Sequence, residues 1–168
     1  MDTLFSYLFH GVILFYLAGA AASLLLRRKP AICISISYGL GTVASVLGVA
    51  AAVSILEAGH PVLLELPSPV PFASLEIRLD GLAAFFILTI SLIGFAVSIF
   101  SLGYVRQYAG KRPVNLLGAV YHLFLLSMIL VVSINNAFFF LVFWELMSLL
   151  SYFLVIYEHE KPMTQKAG

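Results

Sequence analysis

The sequence predicts an all-α integral membrane protein with five transmembrane helices, on three observations. Of its 168 residues, 62% are hydrophobic and only 10% are charged, whereas soluble domains are about 25% charged. Five segments are apolar and long enough to cross about 30 Å of hydrocarbon, which takes about 20 helical residues. Nearly all charged residues lie in or beside the connections between these segments. The composition therefore excludes a water-soluble globule.

The five helices are expected in a single membrane domain covering residues 1–168. Their expected ranges are about 4–26, 31–56, 81–104, 114–133 and 136–156. The first ends at the basic run Arg27-Arg28-Lys29, and Pro30 follows. A cleaved signal peptide is the alternative for this first segment. A signal peptide begins with positive charge, but the residues before this apolar run include Asp2 and no Lys or Arg. We therefore expect the segment to be retained as a helix.

The distribution of Lys and Arg predicts the orientation of the helices. Cytoplasmic connections collect these residues in membrane proteins. Eight of the nine follow the first, third or fifth helix, and Arg78 alone lies on the other side. The N-terminus is therefore predicted outside and the C-terminus in the cytoplasm. The eight are Arg27, Arg28, Lys29, Arg106, Lys111, Arg112, Lys161 and Lys166.

The long connection between the second and third helices predicts a short extracytoplasmic β-hairpin. Residues 75–79 alternate apolar and charged side chains, which is the period-2 pattern of a strand with one covered face. Residues 62–66 are mostly apolar, and Pro67-Ser68-Pro69 supplies a turn between the two segments. Such a hairpin would act as a lid or a docking element.

Glu145 is the acidic residue that the sequence places within a membrane span. It lies near the middle of the fifth helix, about 14 Å along a helix of about 30 Å. An ionised side chain there costs about 3 kcal/mol on insertion scales, so such residues usually face the protein interior and have a function. Glu145 is therefore the candidate proton carrier. The alternative is a protonated Glu145 that only hydrogen-bonds a neighbouring helix.

Helical periodicity places further polar residues on the side of Glu145. Ser148, Tyr152 and His159 lie within about 60° of it and lead toward the predicted cytoplasmic end, as a proton path requires. The opposite side is expected to face lipid. Its residues are Phe139, Phe140, Phe143 and Leu150.

His122, in the fourth helix, is a second candidate for the proton path. Counted from the outer ends of their helices, His122 and Glu145 lie at similar depth. A histidine can relay protons near neutral pH. The alternative is a histidine that only hydrogen-bonds between helices.

Other chemistries have no residues to support them. The net charge of +1 gives no electrostatic case for nucleic acid as a partner. The one cysteine, Cys33, excludes a disulfide framework and a Cys-based metal cluster within the chain. Nucleotide-binding, flavin and zinc motifs are missing from the sequence. We therefore expect no cofactor and no metal, and we expect membrane lipid and protons as ligands.

Three segments resemble the antiporter-like proton-pumping subunits that respiratory complex I shares with membrane-bound hydrogenases. They are Asp80–Phe86 (DGLAAFF), Ser101–Tyr104 (SLGY) and Asn136–Ile156 (NAFFFLVFWELMSLLSYFLVI). The last is the most specific, and the chain looks most similar to the branch that contains the B component of hydrogenase 4 and formate hydrogenlyase subunit 3. The resemblance covers only the first five helices of that family, so the chain is expected to be the N-terminal portion of a longer fold.

The resemblance implies a role for Glu145 and a set of partners. In that family the matching glutamate is the proton-channel acid of the fifth helix, and it pairs with a lysine on the seventh. Redox chemistry belongs to other, peripheral subunits. The implied function is a proton-translocating subunit of a hydrogenase-like or NADH dehydrogenase-like oxidoreductase complex in the cell inner membrane. The alternatives are a subunit of a multi-subunit cation/proton antiporter and a non-catalytic membrane scaffold.

Overall fold

The computed structural model describes residues 2–66, 70 and 74–158, and its main elements are five long helices and one hairpin. All five helices are long and apolar enough to cross a membrane. Their ranges agree with those predicted to within a few residues. They are α1 (Asp2–Leu25), α2 (Pro30–Ala58), α3 (Gly81–Tyr104), α4 (Val114–Ser133) and α5 (Ala137–Val155), with short 3₁₀ turns at Val105–Tyr108 and Ile156–Glu158.

Local signals in the sequence explain where several helices begin and end. The Asp80 carboxylate accepts a hydrogen bond from the Ala83 amide at 2.9 Å and caps α3. The Asn136 side chain accepts from the first amides of α5 in the same way. Pro30 is the first residue of α2, where its missing amide hydrogen costs nothing. Gly59 ends α2 with a φ of 70°, a conformation that favours glycine.

The interior of the bundle is formed by α1 to α4. α2 packs along both α1 and α3, and α4 packs on α1, while α5 makes its main contacts with α4. Small residues allow the close approach of α2 and α3, since Ala44, Gly48 and Ala52 are all buried. Glycine, alanine and serine therefore set how closely the helices approach one another in a large part of this interior.

The predicted hairpin is present between α2 and α3. Strands β1 (Val62–Leu66) and β2 (Leu75–Leu79) are antiparallel, with Val62 opposite Leu79. Ile77 and Leu79 are completely buried, whereas Arg78 between them is exposed. The Asn135 amide donates to the Glu76 carbonyl at 2.9 Å, so the hairpin docks on the connection between α4 and α5. The predicted turn at Pro67-Ser68-Pro69 lies outside the described residues.

The apolar side of α5 corrects one expectation. Phe139 and Leu150, which were expected to face lipid, are 4% and 7% exposed because they pack toward the bundle. Phe140 and Phe143 are also partly buried. An aromatic and aliphatic face packs as well against α4 as against lipid tails, so hydrophobicity alone does not tell these surroundings apart.

Candidate functional site

The polar side of α5 points away from the other four helices. Glu145, Ser148 and Tyr152 are all exposed, and Tyr152 retains 48% of its accessible surface. The helical positions therefore place the three on one side, as expected, and that side is not covered by the described residues. His159, the predicted last member of the path, lies outside the described part of the chain.

Glu145 has no ion-pair partner among the residues that the structure describes. An ion pair joins Arg78 and Asp80 at 3.5 Å, but it lies at the hairpin end of α3, away from Glu145. A carboxylate in the middle of an apolar helix is costly if it faces hydrocarbon. The exposed side of α5 is therefore the surface at which a cationic side chain from elsewhere, or water, would have to reach Glu145.

His122 lies in the interior of the bundle and is completely buried. Its Nδ1 lies 2.7 Å from the carbonyl oxygen of Gly118, one turn earlier in α4, and its Nε2 lies 3.0 Å from that of Ser37 in α2. Whichever nitrogen carries the proton donates to its carbonyl. The ring centroids of Tyr16 and Tyr38 are 6.1 and 6.0 Å from that of the histidine. His122 thus joins α4 to α1 and α2.

The structure does not bring His122 and Glu145 into one site. His122 points into the space between α1, α2 and α4, whereas Glu145 is on the outer side of α5. A cavity of about 760 Å³ lies between α3, α4 and α5, and Trp144 and Met147 are among its lining residues. The surface that lines this cavity is almost entirely apolar.

A buried set of hydroxyl groups around His122 was not predicted. The hydroxyls of Tyr16 and Ser45 are 3.0 Å apart, and those of Ser98 and Tyr121 are 2.9 Å apart. The Tyr121 hydroxyl is also 3.0 Å from the Gly94 carbonyl oxygen, to which it donates. A usable signal was the seven-residue spacing of Gly41 and Gly48 on α2 and of Ser91 and Ser98 on α3, which predicts facing stripes on two antiparallel helices.

In the described ranges, no group of three or more His, Cys, Asp or Glu side chains is placed to hold a metal ion. Cys33 is a free, buried thiol whose Sγ lies 3.4 Å from the Ser23 carbonyl oxygen. The ionisable candidates for proton chemistry in these helices are therefore Glu145 on the outer side of α5 and His122 inside the bundle.

Comparison with known proteins places this arrangement in a family. Residues 72–112 match the family model described as the N-terminus of NADH-ubiquinone oxidoreductase (complex I), chain 5. Hydrogenase-4 component B of Escherichia coli is 36% identical over 149 residues, which cover 89% of this chain and 22% of that protein. The chain belongs to the antiporter-like family of complex I chain 5.

Two further relatives show the range of this antiporter-like family. A proposed antiporter subunit, mnhA2, of Staphylococcus saprophyticus is 42% identical over 94 residues, covering 55% of this chain and 11% of that protein. An uncharacterised protein of Mycobacterium tuberculosis, Rv0083, is 34% identical over 131 residues, covering 76% and 20%. The chain thus spans about a fifth or less of the length of these relatives. The names of the matched family and relatives contain the words "chain", "component" and "subunit", each of which denotes one part of a larger assembly.

Proposed function

We propose that the chain forms part of a proton-translocating membrane subunit in a hydrogenase-like or NADH dehydrogenase-like oxidoreductase complex. The complex lies in the cell inner membrane, and electron transfer in other subunits is coupled to proton movement through this one. The redox centres lie in those other subunits. Its partners are other membrane and peripheral subunits, and its ligands are protons and membrane lipid.

The observation that carries the proposal is the position of Glu145. It is an acid in the middle of a membrane-length helix, on a side that the described residues leave uncovered. Because a carboxylate at this depth is disfavoured in hydrocarbon, its retention is best explained by a function at an interface with protein or water. Glu145 accepts and releases the proton, and a lysine outside this chain's described residues serves as its partner.

Ser148 and Tyr152 would form the route to Glu145, because both lie on its side of α5 toward the C-terminal end of the helix. His159 would continue that route by its place in the sequence. For His122 the geometry favours the contact between helices over the relay, since both ring nitrogens already face backbone carbonyls and the ring is enclosed by tyrosines.

Glu145→Gln in the assembled complex tests the proposal. The substitution keeps the size of the side chain and removes its ability to carry a proton, so proton translocation per electron transferred should fall severalfold or more while electron flow continues. The matched control is Glu65→Gln, the same chemical change at an exposed position in β1. Unchanged coupling in Glu145→Gln, with normal assembly, would overturn the assignment.

The second candidate is a cation/proton antiporter subunit, and the likeness to the proposed antiporter subunit of Staphylococcus favours it. In vesicles without an electron donor, a sodium gradient should then drive a change of internal pH that Glu145→Gln abolishes. A scaffold predicts a different pattern, in which Glu145→Ala lowers the amount of assembled complex but leaves the activity of each complex unchanged.

A further inference from the structure

Two adjoining cavities lie where the connection between α3 and α4 meets the turn between α1 and α2. The first has a volume of about 340 Å³, and Arg27, Lys111 and Arg112 are among its lining residues. The second, of about 520 Å³, lies between the ends of α4 and α5. Lys111, Arg112 and Pro113 line both, so the two cavities form one continuous surface.

The second cavity is an apolar groove with a basic rim. Leucine, valine and phenylalanine side chains form its walls and lead from the rim into the membrane-spanning part of the bundle. The wall residues are Leu116, Leu117 and Val120 of α4 and Leu150, Phe153 and Leu154 of α5. Such a groove suits a hydrocarbon chain, because the chain and the side chains that line the groove are both apolar.

The basic rim is built into the fold. Arg112 is partly buried, its Nη1 donates to the Tyr157 carbonyl at 2.6 Å, and its guanidinium lies 5.8 Å from the centre of the Tyr157 ring. The amides of Lys111 and Arg112 both donate to the Tyr108 carbonyl, which shapes the connection around Gly110 at a φ of 79°. No Asp or Glu is among the lining residues whose side chains the structure describes, and the side chain of Glu158 is not one of these.

We propose that these two cavities form a binding site for one anionic phospholipid. Its phosphate lies among Arg27, Lys111 and Arg112, and one of its acyl chains lies in the groove between α4 and α5. Basic pockets between transmembrane helices recognise anionic headgroups, and the cytoplasmic leaflet, which this end is predicted to face, carries such lipids. A free phosphate would use the basic cavity alone. This site does not depend on proton movement through Glu145.

Lipid binding is measured by native mass spectrometry on the protein purified in mild detergent with the chains that accompany it. Phosphatidylglycerol is titrated against phosphatidylcholine with identical acyl chains. The test variant is Arg27→Gln/Lys111→Gln, and the matched control is Arg28→Gln/Lys29→Gln, which removes two charges from the neighbouring turn outside the cavities. The test variant should weaken phosphatidylglycerol binding about 25-fold, which corresponds to about 2 kcal/mol. The control should weaken it less than about threefold.

A second variant separates a lipid from a free anion. Val120→Trp fills the groove and leaves every basic residue in place, so it should weaken phosphatidylglycerol binding about tenfold while competition by inorganic phosphate is unchanged. Equal losses in the two charge variants would overturn the site. Phosphatidylglycerol binding that is insensitive to Val120→Trp and fully displaced by inorganic phosphate would identify an anion site without a lipid. Variants are compared only where helical content and elution volume match the parent protein.

Discussion

Gly19→Ala is expected to destabilise the bundle through His122. A Cβ built on Gly19 would lie 2.3 Å from Cδ2 of His122 and 2.4 Å from its Nε2. Ordinary van der Waals contact begins at 3.4 Å, so the ring or α1 would have to move by about 1 Å. The ring has little room to move, because it is completely buried and its two nitrogens lie 2.7 and 3.0 Å from the carbonyl oxygens of Gly118 and Ser37.

The expected cost of Gly19→Ala follows from three contributions. Overpacking of a well-filled interior costs about 1–3 kcal/mol. Loss of one hydrogen bond as the ring retreats costs about 1 kcal/mol. Replacing a helical glycine by alanine returns about 1 kcal/mol. The free energy of unfolding should therefore fall by about 1–3 kcal/mol. Gly39→Ala in α2 is the matched control, since nothing lies within 4 Å of its new Cβ, and it should be neutral or stabilising.

The assay is reversible unfolding in mixed micelles, followed by far-ultraviolet circular dichroism as the denaturing detergent is increased. The same Gly19→Ala change is also measured in a His122→Ala background. There it should stabilise by about 1 kcal/mol, because the ring that it strikes is gone and the gain in helix propensity remains. The two substitutions should therefore be coupled by about 2–4 kcal/mol. If Gly19→Ala is as stable as Gly39→Ala, or if its cost persists without the histidine ring, the packing of α1 on His122 is wrong.

Two further substitutions test other parts of the fold by the same assay. The Ser91 hydroxyl is buried and has no hydrogen-bond partner in the described part of the chain, so Ser91→Ala should stabilise the bundle by about 1 kcal/mol, and a loss of stability would reveal a missed partner. Ile77→Ala should cost about 2–5 kcal/mol because Ile77 is completely buried where the hairpin docks. The exposed neighbour in β1 is the control, and Leu63→Ala should change the stability by less than about 0.5 kcal/mol.

The helices and the hairpin could be predicted because each has a signal within its own residues. The length of an apolar run, the Asp80 and Asn136 caps and Pro30 locate helix ends to within a few residues. The alternation at 75–79 predicted which side of β2 is buried, and Ile77 and Leu79 are the buried residues. These signals act locally, so they do not require knowledge of the neighbouring elements.

The partners of the candidate site residues could not be predicted in the same way. The sequence shows that Glu145 and Phe139 lie on different sides of α5. It does not show whether the apolar side packs against α4 or against lipid, because both are apolar surroundings. The partner of His122 on another helix lies far away in sequence, since Ser37 is 85 residues from it. Gly19 and Gly41 approach His122 from α1 and α2, and no local signal in the sequence pairs these glycines with that histidine. Long-range pairing of this kind depends on which helices are neighbours, and helix periodicity does not supply that.

The packing of α5 indicates what surrounds Glu145. Only 11% of the residues in its apolar window are buried, compared with 56% in α4, so α5 is the helix least committed to the described bundle. Most of the outward side chains of α5 are apolar, among them Leu141 and Leu149, whereas Phe139 and Leu150 point inward. Glu145 is exposed among these outward apolar side chains. Because a carboxylate in contact with hydrocarbon is disfavoured, this orientation favours an α5 that meets further protein or water at Glu145.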